Sequence, residues 1–363
     1  MNDQPPAFRL RLHHVLAALA LLIFAWRAFD SFVPGFWTAE EHGYLTAAKR
    51  MATTGTFALR QNDPYAFVGE AMAQAEGESG ELYYPRQSTA YPLLCAAAYF
   101  VGGPAGPLAV SPLCGLALIL GVYVLGRLLK KEWPGAIAAM AVAVLPPVLY
   151  YAVRPLPHVV FLTMGVWLMV AAMAWRRNRK TRKTLLVKVP FGGAGAVIAV
   201  ASAGVMAWNY KDAMTQLERT RVMGRQMVES AKIVQSQAPP GAVILADNHS
   251  AYFLDYIGRY TIYSPTMFEP EKIARRVSDL DQYPHKLDPA RTREIRNLVG
   301  GKTLEELNVI LRRQFRGYLS VGRPVFVFGT QEQTAYWQER LQMPMEATAE
   351  NRELHLVLYE VKP

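Results

Sequence analysis

The chain contains 363 residues, of which 52% are hydrophobic and only 19% are charged, and its formal net charge is +10. The apolar residues are concentrated in blocks before residue 210, whereas the remainder has the composition of a soluble domain. This distribution excludes a wholly soluble enzyme, a disordered protein and a disulfide-rich secreted module. Cys95 and Cys114 both lie in apolar stretches, so we expect them to be buried small side chains.

Five segments are long and apolar enough to cross a bilayer, which takes about 20 residues. These predicted spans are residues 13–33, 107–126, 134–152, 156–175 and 189–208. A further apolar block, 91–103, is shorter, and its length suits an interfacial or re-entrant helix. The first segment lacks a small-residue cleavage site and is followed by other spans, so it is predicted to be retained as an anchor.

The basic residues predict the orientation of these spans. Lysines and arginines are concentrated in the N-terminal tail, the 127–131 loop and the 176–188 loop, and such residues mark the cytoplasmic side. Five spans place all three on one side, with the N-terminus inside and the 34–106 loop and everything after residue 209 outside. The predicted membrane topology therefore accounts for much of the net positive charge of the chain. No aromatic-basic groove pattern accompanies it, so nucleic acid is not a predicted partner.

The 34–106 loop is predicted to begin with a helix. Thr38 and Glu41 have the spacing of a capping box, and Gly55 is placed to end the helix. Glu40 and Glu41 fall in the first turn, where the helix dipole stabilises a carboxylate. Judged from these residues alone, both glutamates can be explained as capping groups, and a catalytic role stays open.

Residues 210–363 are predicted to form a small α/β domain. Its predicted strands are 241–248, 323–329 and 353–361, and its predicted helices are 213–236, 270–280 and 303–316. Asp-Asn-His-Ser at 247–250 follows the first strand, at the edge where α/β sheets bind ligands. A turn built from Asp and Asn explains the same residues and is the favoured interpretation.

The order of features along the chain resembles that of a known family. The segment Glu40-Glu41-His42-Gly43-Tyr44-Leu45 opens the first outer loop and is followed by Ala48, Met51 and Gly55. Next come YYPRQSTAYPLLCAAAYFVGG, a span, the basic turn LGRLLKKEWPG, a span ending in LPPVLYY and the turn RPLPHVVF. Over residues 10–178 this order resembles the N-terminal module of the GT-C superfamily of membrane glycosyltransferases, which includes protein mannosyltransferases and aminoarabinose transferases.

The resemblance implies an integral membrane module of about five helices over residues 1–209, containing the outer loop 34–106, followed by an outer α/β domain at 210–363. It also implies transfer of a sugar from a polyprenyl-phosphate donor to a lipid, glycan or protein acceptor on the outer face of the membrane. The lipid bilayer, the lipid-linked sugar and an unidentified acceptor are the expected partners. Because the outer domain lacks a disulfide framework, a bacterial inner membrane is the expected location.

Candidate site residues are carried over from the family position by position. Its catalytic base or metal-linked carboxylate falls on Glu40 or Glu41, which makes a divalent metal ion the candidate cofactor. The family's phosphate-binding cation matches Arg86, whose guanidinium suits bidentate phosphate binding. The other candidate substrate-binding residues are Tyr84, Arg154, His158 and His42.

The chain departs from the family pattern in three ways. Glutamate replaces the usual aspartate of the first acidic pair, the 151–158 turn has Arg154 and His158 but no carboxylate, and several later spans are missing. The alternative is therefore a shortened, non-catalytic membrane protein whose outer domain binds a partner or a glycan. Only the enzyme hypothesis predicts that the acidic pair, Arg86 and the 154–158 turn converge on one cavity. A transporter is less favoured, because Arg27 and Asp30 lie towards the outer end of the first span.

Overall fold

The computed structural model describes residues 11–61, 63–69, 71–74, 82–178, 210–271 and 300–363, with a few isolated positions between 272 and 299. The chain divides into two compact units. The helical unit comprises Met1–Val33 and Leu108–Arg221, and the sheet unit comprises Pro34–Pro107 and Val222–Pro363. The predicted domains, 1–209 and 210–363, follow chain order, whereas the compact units group the 34–107 segment with the C-terminal region.

The described residues form the following helices and strands. The helices are α1 (Leu12–Ser31), α2 (Ala39–Thr54), α3 (Ala90–Gly102), α4 (Gly106–Leu128), α5 (Glu132–Val144), α6 (Pro146–Ala152), α7 (His158–Asn178), α8 (Tyr210–Gln237), α9 (Asn248–Ile257), α10 (Leu304–Ser320) and α11 (Gln331–Leu341). The strands are β1 (Leu59–Arg60), β2 (Met72–Gln74), β3 (Leu82–Pro85), β4 (Val243–Ala246), β5 (Thr261–Tyr263), β6 (Val325–Thr330), β7 (Met345–Asn351) and β8 (Leu356–Val361).

Within the described residues, three helical segments are long and apolar enough to cross a membrane, judged by length and composition. They are Leu12–Ser31, Ala90–Leu128 and His158–Trp175, and α5 with α6 adds a fourth if the bent pair counts as one span. By length and composition, the prediction of a protein with several membrane-spanning helices is confirmed. The predicted span at 189–208 lies outside the described residues, and the orientation of the helices stays a prediction.

The bend between α5 and α6 follows from two consecutive prolines. Leu145 precedes Pro146 and adopts an extended conformation, φ −74° and ψ 116°, because the residue before a proline is disfavoured in a helix. The two helix axes consequently differ by 62° where the sequence had predicted one continuous span, 134–152. The break interrupts the helical hydrogen bonding, and Arg27 of α1 donates a hydrogen bond to the Val144 carbonyl oxygen at 2.8 Å. The Arg27 guanidinium, a cation within the apolar helix α1, thus has a hydrogen-bond acceptor at the break.

The main sheet of the sheet unit has the strand order β5-β4-β6-β8-β7. The first three strands are parallel, and β8 is antiparallel to both of its neighbours. Every residue of β4 is buried, as expected for a central strand covered on both faces. Phe315 of α10 and Trp337 of α11 belong to the same buried cluster as Val243 and Val325. The C-terminal region therefore contains the predicted mixture of helix and sheet.

The 34–107 segment contributes α2, α3 and a small sheet of order β1-β3-β2. The predicted capping box is present: the Glu41 amide donates to Thr38 Oγ1 at 3.3 Å, and the Thr38 amide donates to Glu41 Oε2 at 3.2 Å. Gly55 ends α2 with φ +72°, a left-handed conformation that glycine adopts without strain. Of the two free cysteines, Cys95 is buried as expected and Cys114 is only half-buried.

Asp63 attaches this segment to the main sheet. The hydroxyl groups of Tyr263 and Tyr318 both donate hydrogen bonds to Asp63 Oδ2, the second at 2.6 Å. Four residues later, the Phe67 amide donates to the carbonyl oxygen of Ile262, in β5, at 2.7 Å. These bonds connect residues about 200 positions apart in sequence, which explains why the 34–107 segment belongs to the sheet unit.

A close approach of two backbone segments yields a stability prediction for the sheet unit. A Cβ atom on Gly35 would lie 2.2 Å from the carbonyl oxygen of Gly224, so Gly35→Ala should force the backbone apart and cost about 1–3 kcal/mol. Gly317, inside α10, has nothing within 4 Å of the corresponding position, so Gly317→Ala should instead stabilise the protein by about 0.5–1 kcal/mol. Thermal unfolding of both variants in detergent measures the effect, and equal shifts of the same sign would contradict the assigned packing.

Candidate functional site

The two glutamates of the acidic pair have different surroundings. Glu41 is only 1% exposed, and its Oε2 accepts hydrogen bonds from the Thr38 amide and from Thr38 Oγ1, the latter at 2.8 Å. Glu40, one residue earlier in α2, is exposed to solvent. Burial raises the pKa of the Tyr44 hydroxyl, and the negative charge of Glu40 raises it further. The carboxylate of Glu40 is therefore accessible at the start of α2, whereas Glu41 serves the helix cap.

His42 connects α2 to α9. It is 1% exposed, and its Nε2 lies 2.8 Å from Asp255 Oδ2. The ring packs among aromatic side chains, with centroid distances of 5.7 Å to Phe67 and 5.2 Å to Tyr252. Gly69 provides the room, because a Cβ atom there would lie 2.2 Å from His42 Nδ1. The candidate substrate-binding residue His42 is thus enclosed in the sheet unit and holds α2 against α9.

Lys49 strengthens the same connection. Its ammonium group donates hydrogen bonds to the carbonyl oxygens of Asp255 at 3.0 Å, Tyr256 at 2.7 Å and Gly258 at 3.0 Å. These carbonyl groups lie at the C-terminal end of α9, where the last carbonyls lack helical partners and the helix dipole is negative. Burial lowers the pKa of Lys49, and the nearby carboxylate of Asp255 opposes that shift. Lys49 therefore both caps α9 and fixes the position of α2.

One face of α2 is polar although it is buried. His42, Thr46 and Arg50 follow one another at four-residue intervals, so their side chains share this face. Each has a buried polar atom without a hydrogen-bond partner among the described residues, namely Nδ1, Oγ1 and Nε. Burial lowers the pKa of the Arg50 guanidinium, and Asp255 partly compensates. This face of α2 therefore buries polar atoms whose hydrogen-bonding capacity the described residues do not fully satisfy.

Tyr84 and Arg86 lie at the end of β3, which packs against α2. The Tyr84 side chain is 44% exposed, and Arg86 is half-buried. The Arg86 amide donates to the carbonyl oxygen of Ala71 at 2.9 Å, so its backbone is fixed beside β2. The sheet unit thus contains Glu40, Glu41, His42, Tyr84 and Arg86.

Arg154 and His158 belong to the helical unit. Arg154 is 8% exposed; it donates a hydrogen bond to the Tyr150 hydroxyl, and its guanidinium lies 5.1 Å from the Tyr150 ring centroid. His158 is exposed at the first residue of α7, with its ring centroid 4.4 Å from that of Tyr151. The predicted convergence of these two residues with the acidic pair and Arg86 stays a prediction.

A metal centre has no counterpart in the part of the chain that is described. No group of three or more His, Cys, Asp or Glu side chains there could hold a metal ion. The pair formed by His42 of α2 and Asp255 of α9 brings together two side chains of these types, but His42 Nε2 and Asp255 Oδ2 are already hydrogen-bonded to each other.

The structure also contains a cavity at an edge of the sheet that the sequence indicated only weakly, through residues 247–250. It lies in the sheet unit at the carboxyl ends of β4 and β6, has a volume of about 290 Å³ and is lined in part by Asp247, His249, Gln333 and Tyr336. The segment 247–250 had marked this edge, with a turn as the favoured interpretation. Asp247 instead caps α9 by accepting hydrogen bonds from the amides of His249 and Ser250. Helix α11, which supplies the opposite wall, was not predicted.

The His42–Asp255 pair predicts a specific dependence of stability on pH. Burial acts to raise the pKa of the Asp255 carboxyl, but the hydrogen bond and charge of His42 and the charges of Lys49 and Arg50 outweigh it and lower the pKa. Because the unfolded pKa is about 3.9, the resulting stabilisation is complete above that pH and is lost as the pH falls through the folded pKa.

Asp255→Asn should therefore lower the Tm at pH 7 and reduce the further loss of stability below about pH 4. Thermal unfolding in detergent between pH 3 and pH 7 tests this expectation. Glu339→Gln, which neutralises an exposed carboxylate on α11, is the matched control and should follow the wild-type curve. A wild-type acid response in the Asp255→Asn protein would contradict the role assigned to this carboxylate.

No family model, no curated protein and no solved structure matches this chain.

Proposed function

We propose that the chain is a membrane glycosyltransferase that transfers a sugar from a polyprenyl-phosphate donor to an acceptor of the cell envelope, with Glu40 as the general base. The proposal places the active site on the outer face of a bacterial inner membrane. It rests on the GT-C-like order of features in the sequence and on several helices that are long and apolar enough to cross a membrane.

The difference between the two glutamates is the observation that carries the assignment. A general base must reach the proton that it removes, within hydrogen-bonding distance of the acceptor. Glu40 is exposed, whereas Glu41 is 1% exposed and occupied by Thr38. Only the first of the two carboxylates is therefore free to meet a substrate. In this proposal Glu41 and His42 hold the helix that presents Glu40.

The proposed reaction is a single inverting displacement. Glu40 accepts the proton of the acceptor hydroxyl or amine while the acceptor oxygen or nitrogen attacks the anomeric carbon of the sugar. The bond between the anomeric carbon and the phosphate oxygen breaks, and its electron pair leaves with the polyprenyl phosphate. Arg86 would stabilise the phosphate, since a guanidinium binds phosphate oxygens in pairs. Tyr84 is the adjacent exposed side chain that could contact a sugar.

The helical unit, taken by itself, contains an apolar cavity. It has a volume of about 280 Å³ and is lined by apolar side chains of α1 and α4 and the residue after α1, including Phe24, Phe29, Phe32 and Leu113. A polyprenyl chain is a branched hydrocarbon and gains free energy from burial against such side chains. The lining of this cavity is therefore suited to a hydrocarbon chain.

Glu40→Gln should reduce sugar transfer by about 10²–10⁴-fold, because it removes the base and keeps the shape of the side chain. The assay uses the full chain in membranes with polyprenyl-phosphate donors that carry a radiolabelled hexose or pentose. Release of polyprenyl phosphate is measured in parallel, so that hydrolysis and transfer are distinguished.

Glu41→Gln is the matched control in the same helical turn. Glutamine preserves a capping box, so this variant should retain its fold and most of its activity. Full activity of Glu40→Gln would overturn the assignment of the base. A wild-type protein that neither binds nor consumes any of these donors would overturn the proposed function and leave the non-catalytic alternative.

A further inference from the structure

The cavity at the carboxyl ends of β4 and β6 lies at a special position of the sheet. The chain passes from β4 through α9 to β5 on one side, and β6 lies on the other side of β4, followed by α11. Connections that leave neighbouring parallel strands in opposite directions open a crevice between the strand ends, where α/β sheets bind ligands. Leu245, Ala246 and Phe328 form the part of the lining that these two strands supply. Topology alone therefore favours a binding site here.

The helix ends beside the cavity are not suited to phosphate. A phosphate at a helix N-terminus is held by free backbone amides. At α9 the amides of His249 and Ser250 already donate to Asp247 Oδ1, at 2.9 and 3.2 Å. At α11 the Gln333 amide donates to Thr330 Oγ1 at 3.3 Å. The carboxylate of Asp247 also lines the cavity and would repel an anion.

The side chains offer a mixture of hydrogen-bond donors and acceptors. Asp247 Oδ1 accepts the two amide bonds, and within the described chain Oδ2 has no partner. His249 Nδ1 donates to the Trp37 carbonyl oxygen at 3.1 Å, so Nε2 is the ring nitrogen that remains for a ligand. Gln333 Oε1 accepts from the Thr330 amide at 3.1 Å, so its amide nitrogen still carries two donors. The cavity thus presents a carboxylate acceptor, an imidazole nitrogen and a double donor.

An aromatic side chain completes the lining. Tyr336 is 42% exposed, and its hydroxyl accepts a hydrogen bond from Arg340 at 2.9 Å, which leaves the O–H available as a donor. The guanidinium of Arg340 lies 5.1 Å from the Tyr336 ring centroid and 4.4 Å from that of Trp337. These contacts fix the ring of Tyr336 in place, so it forms a preformed flat surface.

We infer that this cavity is a binding site for a neutral pyranose sugar. Sugar hydroxyl groups each donate and accept hydrogen bonds, which fits the mixed polar lining, and the apolar face of a pyranose ring packs against an exposed aromatic ring. The volume of about 290 Å³ is just below the range for pockets of drug-sized ligands, about 300–1,000 Å³, and suits one sugar unit. The inference does not rest on transferase activity, since the site belongs to the sheet unit alone.

Binding is tested on the full chain in detergent micelles by saturation-transfer NMR, with the methyl pyranosides of glucose, mannose, galactose and N-acetylglucosamine as probes. At least one should bind with a Kd in the millimolar range. Tyr336→Ala and Asp247→Asn should each weaken binding by about tenfold or more. Asparagine caps a helix as well as aspartate does, so Asp247→Asn preserves α9 while it removes the acceptor Oδ2.

Glu339→Gln on the same helix as Tyr336 is the control and should bind the sugar as the wild type does. The inference is overturned if none of the four probes binds, if both cavity variants bind like the wild type, or if inorganic phosphate displaces the sugar. Because Glu40 does not line this cavity, Glu40→Gln should reduce transfer as predicted above without altering probe binding. Failure of the proposed transferase activity is thereby distinguished from failure of the sugar site.

Discussion

The hydrogen bond between His42 and Asp255 joins two helices whose residues are 213 positions apart, and the arrangement of the sheet unit depends on it. Lys49, about two helical turns after His42 on α2, adds three hydrogen bonds to the C-terminal end of α9. Together these contacts add to the apolar packing of α2, in which Leu45, Ala47 and Ala48 are fully buried. The pair is buried on the histidine side and 24% exposed on the aspartate side, so the Asp255 carboxylate keeps part of its solvation.

This attachment determines how the first acidic residue is displayed. The cap formed by Thr38 and Glu41 fixes where α2 begins, and His42 fixes the rotation of the helix about its axis. Glu40 lies in the first turn of this helix, and its side chain is exposed to solvent. The contacts of its neighbours therefore set the position of its backbone on the surface of the sheet unit.

The parts of the fold that the sequence predicts are those that depend on neighbouring residues. The Thr38 capping box and the Gly55 terminus follow from spacings within one helix, and strand β4 follows from a continuous apolar run. The bend at Leu145 was missed because the surrounding residues are apolar enough for one uninterrupted span. Asp255 was missed because its partner, His42, lies 213 positions away. Helix α11 was missed although Thr330 and Gln333 form a local capping box at its start. The sequence could nominate Glu40 and Glu41 together, but only burial distinguishes them.

The division of the sheet unit into two segments has a consequence for biosynthesis. Residues 34–107 leave the ribosome long before the strands and helix that cover them, and the whole of Leu108–Arg221 is made in the interval. At about 5–20 residues per second, the 213 residues between His42 and Asp255 take on the order of 10–40 seconds to synthesise. During that time His42 and Lys49 of α2 lack the partners that they bond in the folded protein, since those groups belong to residues 255–258. Chaperones or the insertion machinery would have to shield this segment in the nascent chain, and slowed elongation after residue 107 would lengthen its exposure to proteases.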